Sequence, residues 1–314
     1  MWAYIFRKLV FNVPVYLAII LFVMAALRVH DPVSSFLGKN ANEEDKVLYK
    51  EKVGLDKPFV VQYLTFLRTF DLGTESWSQK GRTVGEILGD SFGPSLAITL
   101  PALLLTTFIS ICVGMISAYF RGRIVDRSLV IVAVLGMSVS FLVYIILGQY
   151  FGAYMLNEKL GIEVFAISGY ESGIANWPYY CLLPVMISVI VGMGYDTRYY
   201  RAVMVEESQR DYIITAQAKG APKSKIMFVH MLKNAMIPIV TRVAISLPFL
   251  IVGSILLESF FGIPGMGKTL IAAVRVNDFP VVQAFTSIFA AVYIATIILT
   301  DVVYALVDPR VRIS

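Results

Sequence analysis

Along the 314 residues, apolar positions gather into long runs separated by short charged stretches. Uncharged stretches extend from Leu9 to Leu27, Ser91 to Phe120, Ser128 to Asn157, Ser172 to Tyr195 and Phe279 to Thr300. A sixth, Asn234 to Leu257, is broken only by Arg242. A helix needs about 20 apolar residues to cross roughly 30 Å of hydrocarbon. Lipid offers no partner to open backbone groups, so a spanning segment is either a helix or a strand of a closed barrel. These runs are too long for barrel strands and do not alternate. They predict an all-α, polytopic membrane protein with six transmembrane helices.

Composition agrees. Charged residues are 16% of the chain and hydrophobic ones 57%, whereas a soluble domain carries about 25% charged residues to cover its surface. The net charge of +5 suggests nucleic acid until the basic residues are located. They flank the apolar runs, which is the pattern of membrane orientation, and no nucleic-acid partner is expected. Arg7 and Lys8 precede the first run; Arg121, Arg123 and Arg127 follow the second. Arg198, Arg201, Arg210, Lys219, Lys223, Lys225 and Lys233 follow the fourth, and Arg310 and Arg312 close the chain. The intervening short connections hold only Lys159 on one side and Lys268 with Arg275 on the other. This alternation predicts both termini in the cytoplasm.

The first connection, residues 28–94, carries many charges of both signs. Long segments translocate largely regardless of charge, so it reads as a small extracytoplasmic domain. It would lie between an N-terminal helix, residues 1–27, and a five-helix core, residues 95–314. The first run is longer than the ~7–15 apolar residues of a cleaved signal peptide and lacks a following A-x-A site, so it is expected to remain as a helix. Cys112 and Cys181 fall inside apolar runs and read as small core hydrophobes, with no disulfide or metal implied.

Residues 262–269, GIPGMGKT, satisfy G-x-x-x-x-G-K-[ST], the phosphate-binding loop pattern. That loop needs a buried strand before it and a helix after it, so that its N–H groups converge on phosphate. Here Pro248 to Glu258 read as the end of a membrane helix, and Pro264 removes one of the N–H groups. The expected topology also puts the segment outside the membrane, away from cytosolic ATP. A Gly/Pro turn between two membrane helices is the expectation, with Gly262, Ile263, Pro264, Gly265 and Gly267 shaping the extracytoplasmic end.

The longest cytoplasmic connection, residues 198–234, contains DYIITAQAKGAPKSKIMFVHMLKNAMIP at 211–238. Tyr212, Ile213, Ala216 and Gly220 recur at spacings near three and four, an amphipathic face, and Gly220 followed by Pro222 ends a short helix. By pattern alone this helix either lies on lipid headgroups or docks another protein.

This loop resembles the cytoplasmic EAA loop of bacterial ABC importer permeases, in the variant of the dipeptide/oligopeptide B-type subunit. The matching residues are Asp211, Tyr212, Thr215, Ala216, Ala218, Lys219 and Gly220, then His230, Leu232, Asn234, Ala235, Ile237 and Pro238. The resemblance spans the chain: Asp31-Pro32 and GLDKPFVVQY (54–63), Asp126-Arg127, Ser168-Gly169-Tyr170, and FFGIPGMGKTL, NDFPVVQ and DVVYALVDPRVR near the end. Three departures stand out. Ile214 and Thr215 replace the Glu and Ala of the general consensus, and Arg242 is unusual in the fifth helix. Val139 occupies the place of a kinking proline in the third helix, so that helix is expected to keep its backbone hydrogen bond.

The resemblance implies a type I importer half in the bacterial inner membrane. A second, related permease would complete the path, two cytosolic ATPases would hold ATP-Mg, and an extracytoplasmic solute-binding protein would deliver di- or oligopeptides. Related systems carry nickel chelates, antimicrobial peptides or oligosaccharides. The loop would be the coupling helix, and this chain would bind no cofactor and do no covalent chemistry. An ion-gradient transporter would want midplane carboxylates and paired broken helices. A membrane enzyme would want a ligand cluster, yet His30 and His230 fall on opposite sides.

The charges noted within the spans are Arg242 and Asp301. They lie roughly 10 Å and 8 Å from the cytoplasmic helix ends at ~1.5 Å per residue. Arg can snorkel from that depth, but the short Asp side chain cannot. Asp301 is therefore expected to face protein, with Arg242 as first partner and a backbone or hydroxyl donor as the alternative.

Overall fold

A computed structural model describes residues 2–29, 32–37, 42–248, 250 and 253–307. His30, Asp31, Arg310, Arg312 and the Asp308-Pro309 pair of the last matching segment lie outside the described residues. Among the described residues the chain is helical, with an isolated bridge between Glu75 and Thr83 as its β-pairing.

The first long helix, α1, is Trp2–Ala26. Three short helices follow: α2 (Pro32–Leu37), α3 (Glu43–Lys52) and α4 (Phe59–Arg68). Helix α5, Val84–Tyr119, starts at a capping box: Thr83 Oγ1 accepts from the Glu86 N–H, and Glu86 accepts from the Thr83 N–H. Reciprocal capping satisfies two N–H groups that the helix itself cannot. Its 36 residues span about 54 Å at ~1.5 Å per residue, more than the hydrocarbon thickness. Then come α6 (Ile124–Ser138), α7 (Phe141–Leu160), α8 (Trp177–Glu207), α9 (Asp211–Ala218), α10 (Lys223–Ser246), α11 (Ile255–Phe260), α12 (Met266–Arg275) and α13 (Phe279–Val307).

Among the described residues five of these helices are long and apolar enough to cross a bilayer, and the count is six when the pair α6–α7, bent by 91°, is taken as one broken span. The core packs α8 against α5, and small side chains let the two close up. A Cβ at Gly114 would meet the Arg201 backbone nitrogen at 3.0 Å, so a larger residue would push the two helices apart. Ser95, Thr106, Ser110 and Ser117 of α5 are likewise buried, the small-residue helix contact favoured in membranes. Helix α1 lies along α13, while Phe11 and Phe22 on its other side are exposed.

Three expected boundaries shift. Ser128–Asn157 is not one straight helix: it breaks at Val139 and Ser140, both extended (ψ 136° and 139°), although no proline is present. The break leaves the Gly136 carbonyl without its helical partner, and the Tyr144 hydroxyl donates to it at 2.9 Å. The hydrogen bonding expected to stay unbroken at Val139 is therefore interrupted, and a side-chain donor eight residues on supports the bend without a proline. The fifth span runs Lys223–Ser246 rather than Asn234–Leu257. Much of the connection 198–234 is therefore helical, as the ends of α8 and α10.

The bundle has two chemically distinct ends. One carries Arg121, Arg123, Arg201 and α9; the other carries α2–α4, the turn 262–265 and the start of α13. They are called here the basic end and the far end.

Candidate functional site

At the basic end, α9 is a short helix held in place by two side chains. Ile213 and Ala216 are buried against Met115, Tyr200, Met204, Ile226 and Met231. Tyr212 is half-buried, and its hydroxyl donates to Glu207. Burial, then that contact, pushes the Tyr212 phenol up to about 12. Asp211, Ile214, Thr215, Ala218, Lys219 and Gly220 all face outward; Ile214 is 58% exposed. Gly220 thus belongs to the helix end rather than to the buried face expected of it. Its φ of +75° is the left-handed conformation that glycine adopts without strain. Gly220 N donates to Gln217 O at 2.9 Å and Ala221 N to Ala216 O at 3.1 Å, the paired bonds of a Schellman cap.

Beneath α9, an ion pair ties the turn between α5 and α6 to α8. Asp126 is 3% exposed and accepts from Arg201 Nε at 2.6 Å and Nη2 at 2.7 Å. Ser117 and the Gly122 N–H also donate to it. Bidentate guanidinium–carboxylate pairs fix orientation as well as distance. The sequence offered both residues, Asp126 inside a matching segment and Arg201 as one basic residue among many, without linking them.

The pair expected between Arg242 and Asp301 does not form. Arg242 bonds Asp196 of α8, with Nη2 at 3.0 Å and Nε at 3.1 Å from Oδ1, and Asp301 pairs with Lys8 of α1. Matching depth was not enough, because α10 turns Arg242 toward α8 while α13 turns Asp301 toward α1. The uncharged fourth run stops at Tyr195, one residue before Asp196, whereas α8 continues to Glu207.

At the far end, the GIPGMGKT stretch does surround an anion, but the anion is Glu258. This carboxylate is fully buried. Oε1 accepts from Ser95 Oγ at 2.6 Å and Ser254 N at 3.2 Å, and Oε2 from Lys268 N at 2.9 Å. Met266 N donates to Ser95 Oγ at 2.8 Å. Two of the first N–H groups of α12 are thereby satisfied, with a carboxylate at the positive end of the helix dipole. A Cβ at Gly265 would overlap that carboxylate. Burial raises the Glu258 pKa above the ordinary carboxylate range, against the pull of these donors. Gly262 is left-handed at φ +70°, Ile263 is buried and Pro264 is exposed. Nucleotide phosphate has no room in this cradle.

A third buried carboxylate, Asp278, stands immediately before α13 and holds residues 71–83 of the connection from α4 to α5, the far-end arm. It accepts from Ser78 N at 3.0 Å, Ser78 Oγ at 2.6 Å and Trp77 N at 3.2 Å, and from Ser76 Oγ. Trp77 stacks on Phe279 with ring centroids 5.7 Å apart.

Residues 110–313 match the family described as binding-protein-dependent transport system inner membrane component, and residues 1–104 match that family's N-terminal membrane component. The chain belongs to this family. It is thus a multi-pass inner-membrane permease subunit, a non-catalytic part of its transport system. The permease is 30% identical to the oligopeptide transport system permease protein AppB of Bacillus subtilis, covering 99% of this chain and all of that one. It is similarly 30% identical to the glutathione transport system permease protein GsiC of Salmonella choleraesuis, over 98% of both chains. A probable peptide ABC transporter permease protein of Sinorhizobium fredii matches at 30% over 99% of this chain and 100% of its own. Among the described residues no cluster of His, Cys, Asp and Glu could hold a metal.

Proposed function

We propose that this permease forms half of the path of an ATP-driven importer of di- or oligopeptides, with a second related permease as the other half. The basic end faces the cytoplasm, in keeping with the positive-inside rule. Residues 28–94 form a largely extracytoplasmic domain whose helix α4 reaches back alongside α1. Its last residues are the start of α5, and the five-helix core follows from residue 95. Helix α9 is the coupling helix that engages one of two ATPase subunits, which hold ATP-Mg. A solute-binding protein delivers cargo at the far end, where Gly262–Gly267 shape the entrance. Peptide cargo is supported by the named activities of the similar permeases.

One observation carries the coupling role: α9 is anchored inward by Ile213 and Ala216 while Ile214, Thr215 and Ala218 are left exposed. A rigid, Gly-ended helix of this kind transmits closure as rigid-body motion. The test is replacement of Ala218 by Trp and of Ile214 by Asp, which leaves the buried anchors untouched. Both variants should insert normally yet lose co-purification with the ATPases and reduce uptake at least ~10-fold, about 1.4 kcal/mol of lost coupling. Gly220→Trp should do the same but also strains the left-handed cap. Full uptake in the Ala218 and Ile214 variants would overturn the assignment.

A further inference from the structure

Where α1 ends, a cavity of about 420 Å³ opens between the ends of α1 and α13 and beneath the turn joining α3 to α4. Three donor atoms of its polar lining have no acceptor. Arg28 gives one Nη2 bond to Gln62, but its Nε and Nη1 are buried without a hydrogen-bond partner. Gln283, 93% buried, likewise has an unpartnered Nε2. The Arg28 guanidinium lies 4.8 Å from the Phe59 ring centroid and 5.5 Å from that of Phe279, so its flanks are apolar. Lys52 and Lys57 stand at the exposed edge. Asp71, the acidic residue of the lining, turns its Oδ1 to the Gly73 N–H at 2.7 Å and forms no ion pair with Arg28.

Buried donors left unmade cost about 1–3 kcal/mol each, more when charged. Three such donors, two of them on a cation, call for an acceptor, and an oxyanion supplies both the acceptor oxygens and the counter-charge. Burial also draws the Arg28 guanidinium below its ordinary value, as for a desolvated cation without a counter-ion.

The surroundings say what carries the anion. Helix α4 does not stand clear of the bundle: Tyr63 donates to the Leu17 carbonyl at 2.9 Å. Leu17 lies about 14 Å back from Ala26 at ~1.5 Å per residue, so α4 lies beside the spanning part of α1. Val60 and Leu64 of α4 and Phe22 of α1 are 63%, 58% and 74% exposed. Within the cavity itself Phe66 and Phe70 form an apolar wall, and Phe70 is 42% exposed to the outside. We propose that the cavity binds the phosphate of an anionic phospholipid headgroup through Arg28 Nε and Nη1 and Gln283 Nε2, its acyl chains lying on α1 and α4. Occupancy would brace α4 and the arm against the α1–α13 pair.

The test measures lipid retained by the full-length permease, purified with its accompanying subunits from vesicles of phosphatidylglycerol and phosphatidylcholine, by native mass spectrometry. The wild type should retain phosphatidylglycerol at least ~10-fold over phosphatidylcholine. Arg28→Gln and Gln283→Leu should each abolish that preference, and Arg28→Lys should recover part of it. Gln283→Leu keeps size and apolar packing, so it reports on the donor if the Arg28 variants fold poorly. Equal retention in wild type and Gln283→Leu would overturn the proposal. Displacement of the lipid by millimolar inorganic phosphate would also overturn it, indicating a free-anion site. So would displacement by a short peptide, indicating a carboxylate site for cargo.

Discussion

Glu258 accepts the backbone N–H of Lys268 at 2.9 Å, so the lysine of an apparent phosphate-binding loop donates its amide to the chain's own carboxylate. Glycine residues and a helix N-terminus make a good anion cradle whatever the anion. In this permease the anion is covalently supplied and fully buried.

Replacing Glu258 by Gln leaves one acceptor oxygen and turns an amide N–H₂ toward donors. Thermal unfolding of Glu258→Gln in detergent should show a loss of about 1–3 kcal/mol. The wild type carries a pH signature too. A carboxyl whose folded pKa is raised contributes most below its unfolded value and loses that contribution as pH rises through the folded one. Wild-type stability should therefore decline as pH rises above the ordinary carboxylate range. Glu258→Gln should lack that component, and an identical slope in both proteins would contradict the assignment.

Lys268→Ala retains the backbone N–H and should leave both folding and ATP binding by the assembled transporter unchanged. Gly265→Ala should instead destabilise by about 1–3 kcal/mol or more, the cost of overpacking a filled site. Photo-labelling with an azido-ATP and a melting curve on the same samples measure both. Loss of label in Lys268→Ala with assembly intact would restore the nucleotide reading.

Asp126 and Arg201 pin the α5–α6 turn to α8 at the end that bears α9. Asp126→Ala should cost about 1.5–3 kcal/mol, the range for hydrogen bonds to charged groups. The double variant Asp126→Ala/Arg201→Met should recover part of it, because no charge is then left partly buried without its partner. A double-mutant cycle on thermal stability gives the coupling; additive losses would mean the bidentate geometry contributes nothing.

Asp278→Ala removes the acceptor for Ser76, Trp77 and Ser78 together. Residues 71–83 should then open, raising proteolytic cleavage there by ~10-fold or more while the long helices stay intact. Unchanged cleavage would mean that Trp77 packing alone holds the arm.

Much of this permease was legible from its apolar runs, since length and hydropathy alone decide whether a segment can cross lipid. The sixfold hydrophobic pattern, the segregation of basic residues, and the short helix ended by Gly220 follow from local composition. The sequence could not assign partners to its charges. Ser95 and Glu258 are 163 residues apart, and Asp126 and Arg201 are 75 apart. Which carboxylate meets which donor depends on the faces that packed helices present, not on depth or spacing, and the expectation of an Arg242–Asp301 pair failed for that reason. Helix breaks were hidden for a related cause. The carbonyls of Gly136 and Leu250 find their donors in Tyr144 and Thr99, and for Leu250 that donor is 151 residues away on another helix. Hydrophobic content by itself determined that the chain lives in a membrane as helices. Only tertiary structure decided where those helices stop and which buried charges they bring together, because a backbone group in lipid can leave its helix only where packing supplies another partner.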